Sequence, residues 1–208
     1  MPGVLVTFEG GEGSGKSTQV ARLAGRLRGR GLEPVVVREP GGTPFAEAVR
    51  SLLLDSMPAP NAVTEALLVE AARADLVLRR IRPSLETGHW VLCDRFTDST
   101  LAYQGAGRGL ELELLAAWNR AATGDLKPDF TLLLDVDPAL GLGRRARDGA
   151  EPNRLDREPL EFHRRVRECF LSLARKEPRR FVVLDGALDV DRVEALVWSA
   201  LEPRLTAA

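Results

Sequence analysis

Cysteine and histidine are almost missing from this 208-residue sequence, which has two of each. Cys93 and Cys169 lie far apart, and neither has a partner at C-x-x-C spacing. That excludes a disulfide framework and a Cys/His zinc site. Both read as buried small hydrophobes in a reducing compartment. Lysine is scarce too: Lys16, Lys127 and Lys176 stand against 26 arginines. The surplus fits either compositional bias or heat adaptation, or a need for planar donors that grip phosphate. Thirty acidic residues offset the basic ones and leave a net charge of −1. No overall field therefore recruits nucleic acid or an anionic membrane, and any phosphate site must be built locally. Long hydrophobic runs are absent as well. The apolar start Val4–Phe8 leads straight into glycines, too short for a membrane span or a signal peptide. The expectation is a cytoplasmic protein.

What is present alternates. Short apolar runs, rich in β-branched or large side chains, recur at Val4–Phe8, Pro34–Val37, Trp90–Cys93, Phe130–Leu134 and Phe181–Leu184. Near-continuous apolar runs suit strands covered on both faces, as in a parallel sheet. Between them lie helical patterns: Val20, Leu23, Ala24 and Leu27 on one face with Gly31 as the stop, then Phe45–Leu54 behind Pro44. A long stretch, Thr64–Leu85, places Leu67, Ala71, Ala74 and Leu78 on one face and Glu65, Arg73 and Arg80 on the other, with Pro83 kinking or ending it. Later helices are expected over Leu112–Ala122, Pro138–Arg147, Leu160–Lys176 and Asp191–Leu201. This order predicts a single domain over residues 1–208. Its class is α/β: three layers, a parallel five-stranded sheet with helices on both faces. Arg144–Glu158 breaks the pattern; polar and dense in arginine, it reads as a mobile lid.

The segment "FEGGEGSGKST", Phe8–Thr18, fits G-x-x-x-x-G-K-[ST] through Gly10, Gly15, Lys16 and Ser17. A strand precedes it and an amphipathic helix follows, the context of a P-loop. Amides of Gly10, Gly11, Glu12, Gly13, Ser14, Gly15, Lys16, Ser17 and Thr18 would cradle nucleotide phosphates. Lys16 would reach the β- and γ-phosphates, and Ser17 would bind Mg²⁺. No N-K-x-D base-reading motif is present, which argues against a GTPase. A small P-loop chain with an arginine-dense cover points to transfer between nucleotides, with water excluded.

Three more stretches carry polar groups in expected loops or at strand ends: "REPGGTP" (Arg38–Pro44), "CDRFTDSTLAYQG" (Cys93–Gly105) and "NRLDRE" (Asn153–Glu158). With the P-loop, they make the whole chain resemble the bacterial thymidylate kinase (dTMP kinase) family, within the P-loop NTPase fold. The resemblance implies phosphoryl transfer from ATP to dTMP with Mg²⁺, and a homodimer to which Leu67, Leu68 and Leu76 are candidate contributors. It implies that Glu12 approaches the sugar of dTMP and the reacting phosphates, that Arg95 and Arg50 hold the acceptor phosphate, and that Asp94 stands beside the metal. Arg73 and Gln104 would read the thymine edge, with Thr100 and Tyr103 as pocket neighbours. A cis Glu39–Pro40 bond is implied too.

Two positions depart from the family pattern. Relatives carry a stacking phenylalanine four residues before the arginine of "AAR"; here that residue is Val69. Some members place an arginine directly after the P-loop acid; here it is Gly13. Relatives with glycine there use a lid arginine, commonly just before a glycine. That place holds Asp148, so Arg147 is expected to take the role, with Arg144 and Arg154 as further candidates near ATP. From the residues alone, two other readings stay open: a kinase for UMP, CMP or dGMP, and a non-enzymatic module that binds partners under nucleotide control.

Overall fold

The computed structural model describes residues 3–55, 58–147, 149 and 151–205. Five strands form one parallel sheet: β1 (Val4–Glu9), β2 (Val35–Arg38), β3 (Trp90–Asp94), β4 (Phe130–Asp135) and β5 (Phe181–Asp185), in the order β2-β3-β1-β4-β5. Central β1 pairs with β3 from Val4–Trp90 to Phe8–Asp94 and with β4 from Val6–Phe130 to Glu9–Leu133. The order reverses direction around β1, so the crevice at its carboxyl end is the expected ligand site.

Side chains of β1 alternate between two cores. Val6 and Phe8 join Leu92, Leu132, Leu134 and Leu184 beneath α1 (Lys16–Arg28) and α9 (Val190–Leu205). Those helices contribute Val20, Leu23, Ala24, Leu27, Val193, Val197 and Trp198. Leu5 points the other way, with Val37, Val91 and Cys93, under Leu76, Val77 and Ile81. On the same face Leu133 and Phe181 pack beneath Phe162, Val166 and Phe170 of α8 (Leu160–Lys176). The three-layer expectation holds, and the anticipated strands and helices sit within a few residues of their places. No described helix is long and apolar enough to cross a membrane.

Four expectations change. First, the long helical stretch is α3 (Ala62–Leu76), a π-helical turn (Val77–Ile81) and α4 (Arg82–Glu86). Pro83 has no N–H to return to the preceding turn, and the wider turn comes just ahead of it. Second, the faces of α3 are reversed. Leu67 and Leu78 are 50% and 68% exposed, whereas Glu65 and Arg73 are 2% and 1% exposed. Third, most of "CDRFTDSTLAYQG" is helical rather than loop: α5 (Thr97–Thr100) runs into π-helical turns over Leu101–Gly107. Fourth, Cys169 is half-buried while Cys93 is buried. The helix α7 (Pro138–Arg147) has its expected bounds, so Arg144–Arg147, at the start of the expected lid, form its last turn. Asp148 lies outside the described residues.

The layers close around the crevice with α2 (Pro44–Asp55) against α3, and α6 (Leu112–Thr123) against the other side of α3. The Glu39–Pro40 bond is cis, as the resemblance implies.

Candidate active site

β1 ends at Glu9 and the chain turns through the glycine segment into α1. Gly10, Gly13 and Gly15 have φ of 139°, 64° and 90°, a region in which side chains are strained. Gly15 caps α1 without a side-chain hydrogen bond, which leaves the helix amides for an anion. Gly13 is fixed by packing as well: a Cβ there would collide with the carbonyl of Gly141 in α7.

Lys16 is 7% exposed. Its Nζ donates to the carbonyls of Gly10 (3.2 Å) and Gly11 (2.8 Å) and to Ser14 Oγ (3.2 Å). Burial, then the nearby Arg95 charge, lowers its pKa to about 8. Ser17 Oγ donates to Asp94 Oδ2 at 2.5 Å. These two hard oxygen groups sit on the phosphate cleft, suited to Mg²⁺ when phosphate oxygens and water complete the shell. Among the described residues no cluster of three His, Cys, Asp or Glu could hold a metal unaided.

Among the described residues Arg95 is the one arginine with positive φ, at 70°. The turn is held at several points. Arg95 N donates to Phe8 O at 2.9 Å, and Glu9 accepts from Phe96 N (2.8 Å) and Ser99 Oγ (2.6 Å). The Arg95 guanidinium donates to Gly10 O (2.9 Å) and Glu12 Oε1 (2.8 Å), and Tyr103 O–H donates to the same Glu12 oxygen at 2.8 Å. Burial alone would raise the Glu12 pKa; the charges of Arg95 and Lys16 and the Tyr103 hydrogen bond prevail and bring it to about 2. Glu12 is therefore ionised throughout the physiological range.

Two clefts meet here. A phosphate cleft of ≈ 950 Å³ takes in Glu12–Thr18, Arg38, Asp94 and Arg145. A second cleft of ≈ 690 Å³ takes in Val69, Arg73, Thr100, Tyr103 and Gln104 beneath Leu53, Leu54 and Leu155. Glu12, Glu39, Arg50, Arg95 and Asn153 line both. Arg50 donates to Pro40 O at 2.9 Å, which holds its charge between the two.

Arg73 is not a solvated surface residue. Its Nε donates to Glu39 (2.8 Å), its Nη1 to Glu70 (2.8 Å), Thr100 (2.9 Å) and Asn119 (2.7 Å), and its Nη2 to Phe96 O (3.2 Å). Nη2 also lies 2.7 Å from Glu39. Burial raises the Glu39 pKa to about 7 even against the Arg73 charge. Arg73→Ala strands two buried carboxylates, and loss of one partner of a buried pair costs about 3–5 kcal/mol. We expect a fall of that size in urea unfolding, together with a higher KM for dTMP and a nearly constant KM for ATP.

The lid arginines separate. Arg145 lines the phosphate cleft and lies 3.4 Å from Asp156. Arg144 donates to the carbonyls of Gly186 (2.6 Å) and Ala187 (2.9 Å) behind β5. Arg147 is exposed and donates to Gly143 O in its own helix. Arg154 lies on the second cleft rather than the phosphate cleft, donating to Leu53 O (3.1 Å) and Glu65 (2.6 Å).

Sequence reasoning missed Glu9, Glu39, Glu65, Glu70, Ser99, Asn119 and Arg145 as site residues. One signal was available: Glu65, Val69 and Arg73 recur every four residues, the spacing of one helix face.

A P-loop cleft that shares an arginine- and glutamate-lined wall with a deep second cleft is the layout of a phosphotransferase acting between two nucleotides, a P-loop nucleoside monophosphate kinase. A family model, thymidylate kinase, matches residues 8–197. A thymidylate kinase from Deinococcus radiodurans is 53% identical over 202 residues, covering 97% of this chain and 98% of its own. One from Thermomicrobium roseum is 53% identical over 197 residues, covering 95% and 93%. The crystal structure of thymidylate kinase from Ehrlichia chaffeensis superposes with a TM-score of 0.80 at 35% identity, covering 97% of this chain and 99% of that one. With family match, full-length relatives and architecture agreeing, this chain belongs to the thymidylate kinase family.

Proposed function

We infer that this protein transfers the γ-phosphoryl group of ATP to dTMP, giving dTDP and ADP. Family membership supplies the substrates. The observation that carries the chemistry is the wall shared by the two clefts, where Glu12, Arg50 and Arg95 stand between donor and acceptor phosphates. Phosphoryl transfer needs placement and charge neutralisation more than covalent help. The P-loop amides and Lys16 hold the ATP phosphates, and Arg50 and Arg95 orient the dTMP phosphate in line. Ser17 and Asp94 would hold Mg²⁺, which neutralises charge on the phosphates when bound. The acceptor phosphate is already ionised, so no general base is required. Glu12 fixes Arg95 and Tyr103 beside the sugar. Arg145 takes the lid role expected of Arg147, because Arg145 faces the phosphate cleft.

In the second cleft Gln104 faces the base and Thr100 lies beside it, held by Arg73. Val69, Leu53 and Leu54 give aliphatic packing where relatives stack a phenylalanine. Residues 144–158 act as the cover. We place the protein in the cytoplasm, in keeping with its two free thiols. Incubation with ATP, Mg²⁺ and a panel of monophosphates tests the assignment: dTMP should be the preferred acceptor. Preference for UMP, CMP or dGMP would replace the substrate, and no transfer at all would leave only a binding module.

The reversed face of α3 supports a homodimer. Val63 and Leu67 are exposed along it and Leu78 in the π-helical turn that follows, with Leu52 of α2 and Leu112 and Leu114 of α6 on the neighbouring helices. Core burial does not account for them, whereas the other two expected contributors face inward: Leu76 is fully buried and Leu68 packs on the α2–α3 core. Light scattering should give twice the mass of one chain, and Leu67→Glu with Leu78→Glu should give one chain's mass. A wild-type monomer would overturn this assembly.

A further inference from the structure

Glu65 sits on α3 at the floor of the second cleft, 2% exposed. Three groups donate to its carboxylate. Gln104 Nε2 (2.8 Å) and Arg108 Nε (3.3 Å) reach Oε1, and Arg154 Nη2 (2.6 Å) reaches Oε2. Burial opposes ionisation, but these hydrogen bonds and the Arg108 and Arg154 charges outweigh it and hold the carboxyl below its ordinary range. An ionised carboxylate only accepts, so the Gln104 carboxamide must turn its NH₂ to Glu65 and its Oε1 away. Among the described residues no buried orphan is left at Gln104, which places Oε1 on the open cleft. Thr100 and Arg73 stand beside it, Thr100 fully buried with its Oγ1 accepting from Arg73 at 2.9 Å.

The base end of the cleft thus offers an acceptor, Gln104 Oε1. A pyrimidine with a ring N–H matches it. Cytosine, whose ring nitrogen is unprotonated, opposes it. We propose that Glu65 is a positioning residue that sets pyrimidine selectivity, by locking the Gln104 carboxamide with its oxygen toward the substrate. The inference rests on the dTMP kinase reading above. It also draws the lid into base selection: Arg154 and the 2.7 Å Arg108–Glu158 pair tie residues 154–158 to the same carboxylate lattice.

The test compares kcat/KM for dTMP and dCMP in wild type, Glu65→Gln and Glu65→Asp. In Glu65→Gln, Arg154 claims the remaining amide oxygen, so an NH₂ faces Gln104 and turns that carboxamide over. The dTMP-to-dCMP ratio should fall about tenfold or more, with the KM for ATP unchanged. Glu65→Asp keeps an acceptor-only partner and should keep the ratio even where its KM for dTMP rises. A purely structural role for Glu65 would lower both pyrimidines alike and leave the ratio at the wild-type value, which overturns the proposal. A wild type that makes no dTDP from dTMP would instead overturn the function itself. If Glu65→Gln does not fold, a crystal structure of wild type with dTMP decides. Thymine N3 should lie within hydrogen-bond distance of one Gln104 amide atom while the other stays on Glu65; a Gln104 that has left Glu65 refutes the lock.

Discussion

Lys16→Ala gives a folded protein whose kcat is about 10²–10³-fold below wild type or lower, the scale of losing one preorganised donor to a charge that develops in the transition state. The geometry makes Lys16 hard to replace. Its ammonium is enclosed by the Gly10 and Gly11 carbonyls and Ser14 Oγ, at the head of α1 on the phosphate cleft. The same enclosure adds a pH signature. With a pKa of about 8, Lys16 in the free enzyme loses its proton as pH rises through 8. ATP favours the charged form, so binding above that pH takes up a proton. The KM for ATP should therefore climb by up to about tenfold per pH unit above pH 8 in wild type, and stay flat in Lys16→Ala. Circular dichroism and thermal melting check the fold, and initial rates from pH 7 to 9.5 check the rest. Near-normal turnover in a folded mutant would remove Lys16 from the reaction.

The sheet and the P-loop were legible because each has a local signature. Val4–Phe8, Trp90–Cys93 and Phe130–Leu134 are apolar in both parities, which only a doubly covered strand tolerates. Gly10, Gly13 and Gly15 mark the positive-φ turn that joins β1 to α1. The second cleft was legible in its family residues but not in its wiring. Arg73 reads as a solvent-facing arginine because periodicity assumes that charge points outward. Here Glu39 just past β2, Asn119 of α6 and Glu70 of α3 itself turn that face inward, and no local pattern encodes partners as distant as the first two. The apolar side of α3 is then left outside, where a hydrophobic count assigns it to the core. The helical turn over Thr97–Gly107 hid for a related reason. Asp98 and Thr100 are polar yet buried, satisfied by Arg180 and Arg73, so the apolar stripe of a helix is broken by residues whose partners come from elsewhere.

The lid follows the same logic, since sequence offered three arginines in one turn and only packing separates them. Gly13 cannot become arginine, because α7 presses the Gly141 carbonyl onto it. A cationic group would therefore come from outside the P-loop, and Arg145 of α7 lies three residues before the place that the family spacing gives, that of Asp148. Residues 141 and 145 are one helical turn apart. The turn that packs Gly141 on the P-loop also brings Arg145 onto the phosphate cleft, whereas Arg144 and Arg147, three residues apart, share another face of α7. Arg145→Ala should lower kcat by about 10³-fold or more, the range for an arginine supplied to a phosphoryl-transfer transition state, with the KM for dTMP changed only a few-fold. Arg145→Lys should recover little, because a point charge does not reproduce the planar fork. Arg144→Ala and Arg147→Ala should stay within a few-fold of wild type. Single-turnover rates with saturating ATP and dTMP separate this chemical effect from product release. A large loss in Arg147→Ala with Arg145→Ala spared would return the role to Arg147 and require α7 to rotate on closure; a small effect in all three would mean that transfer here proceeds without a lid arginine.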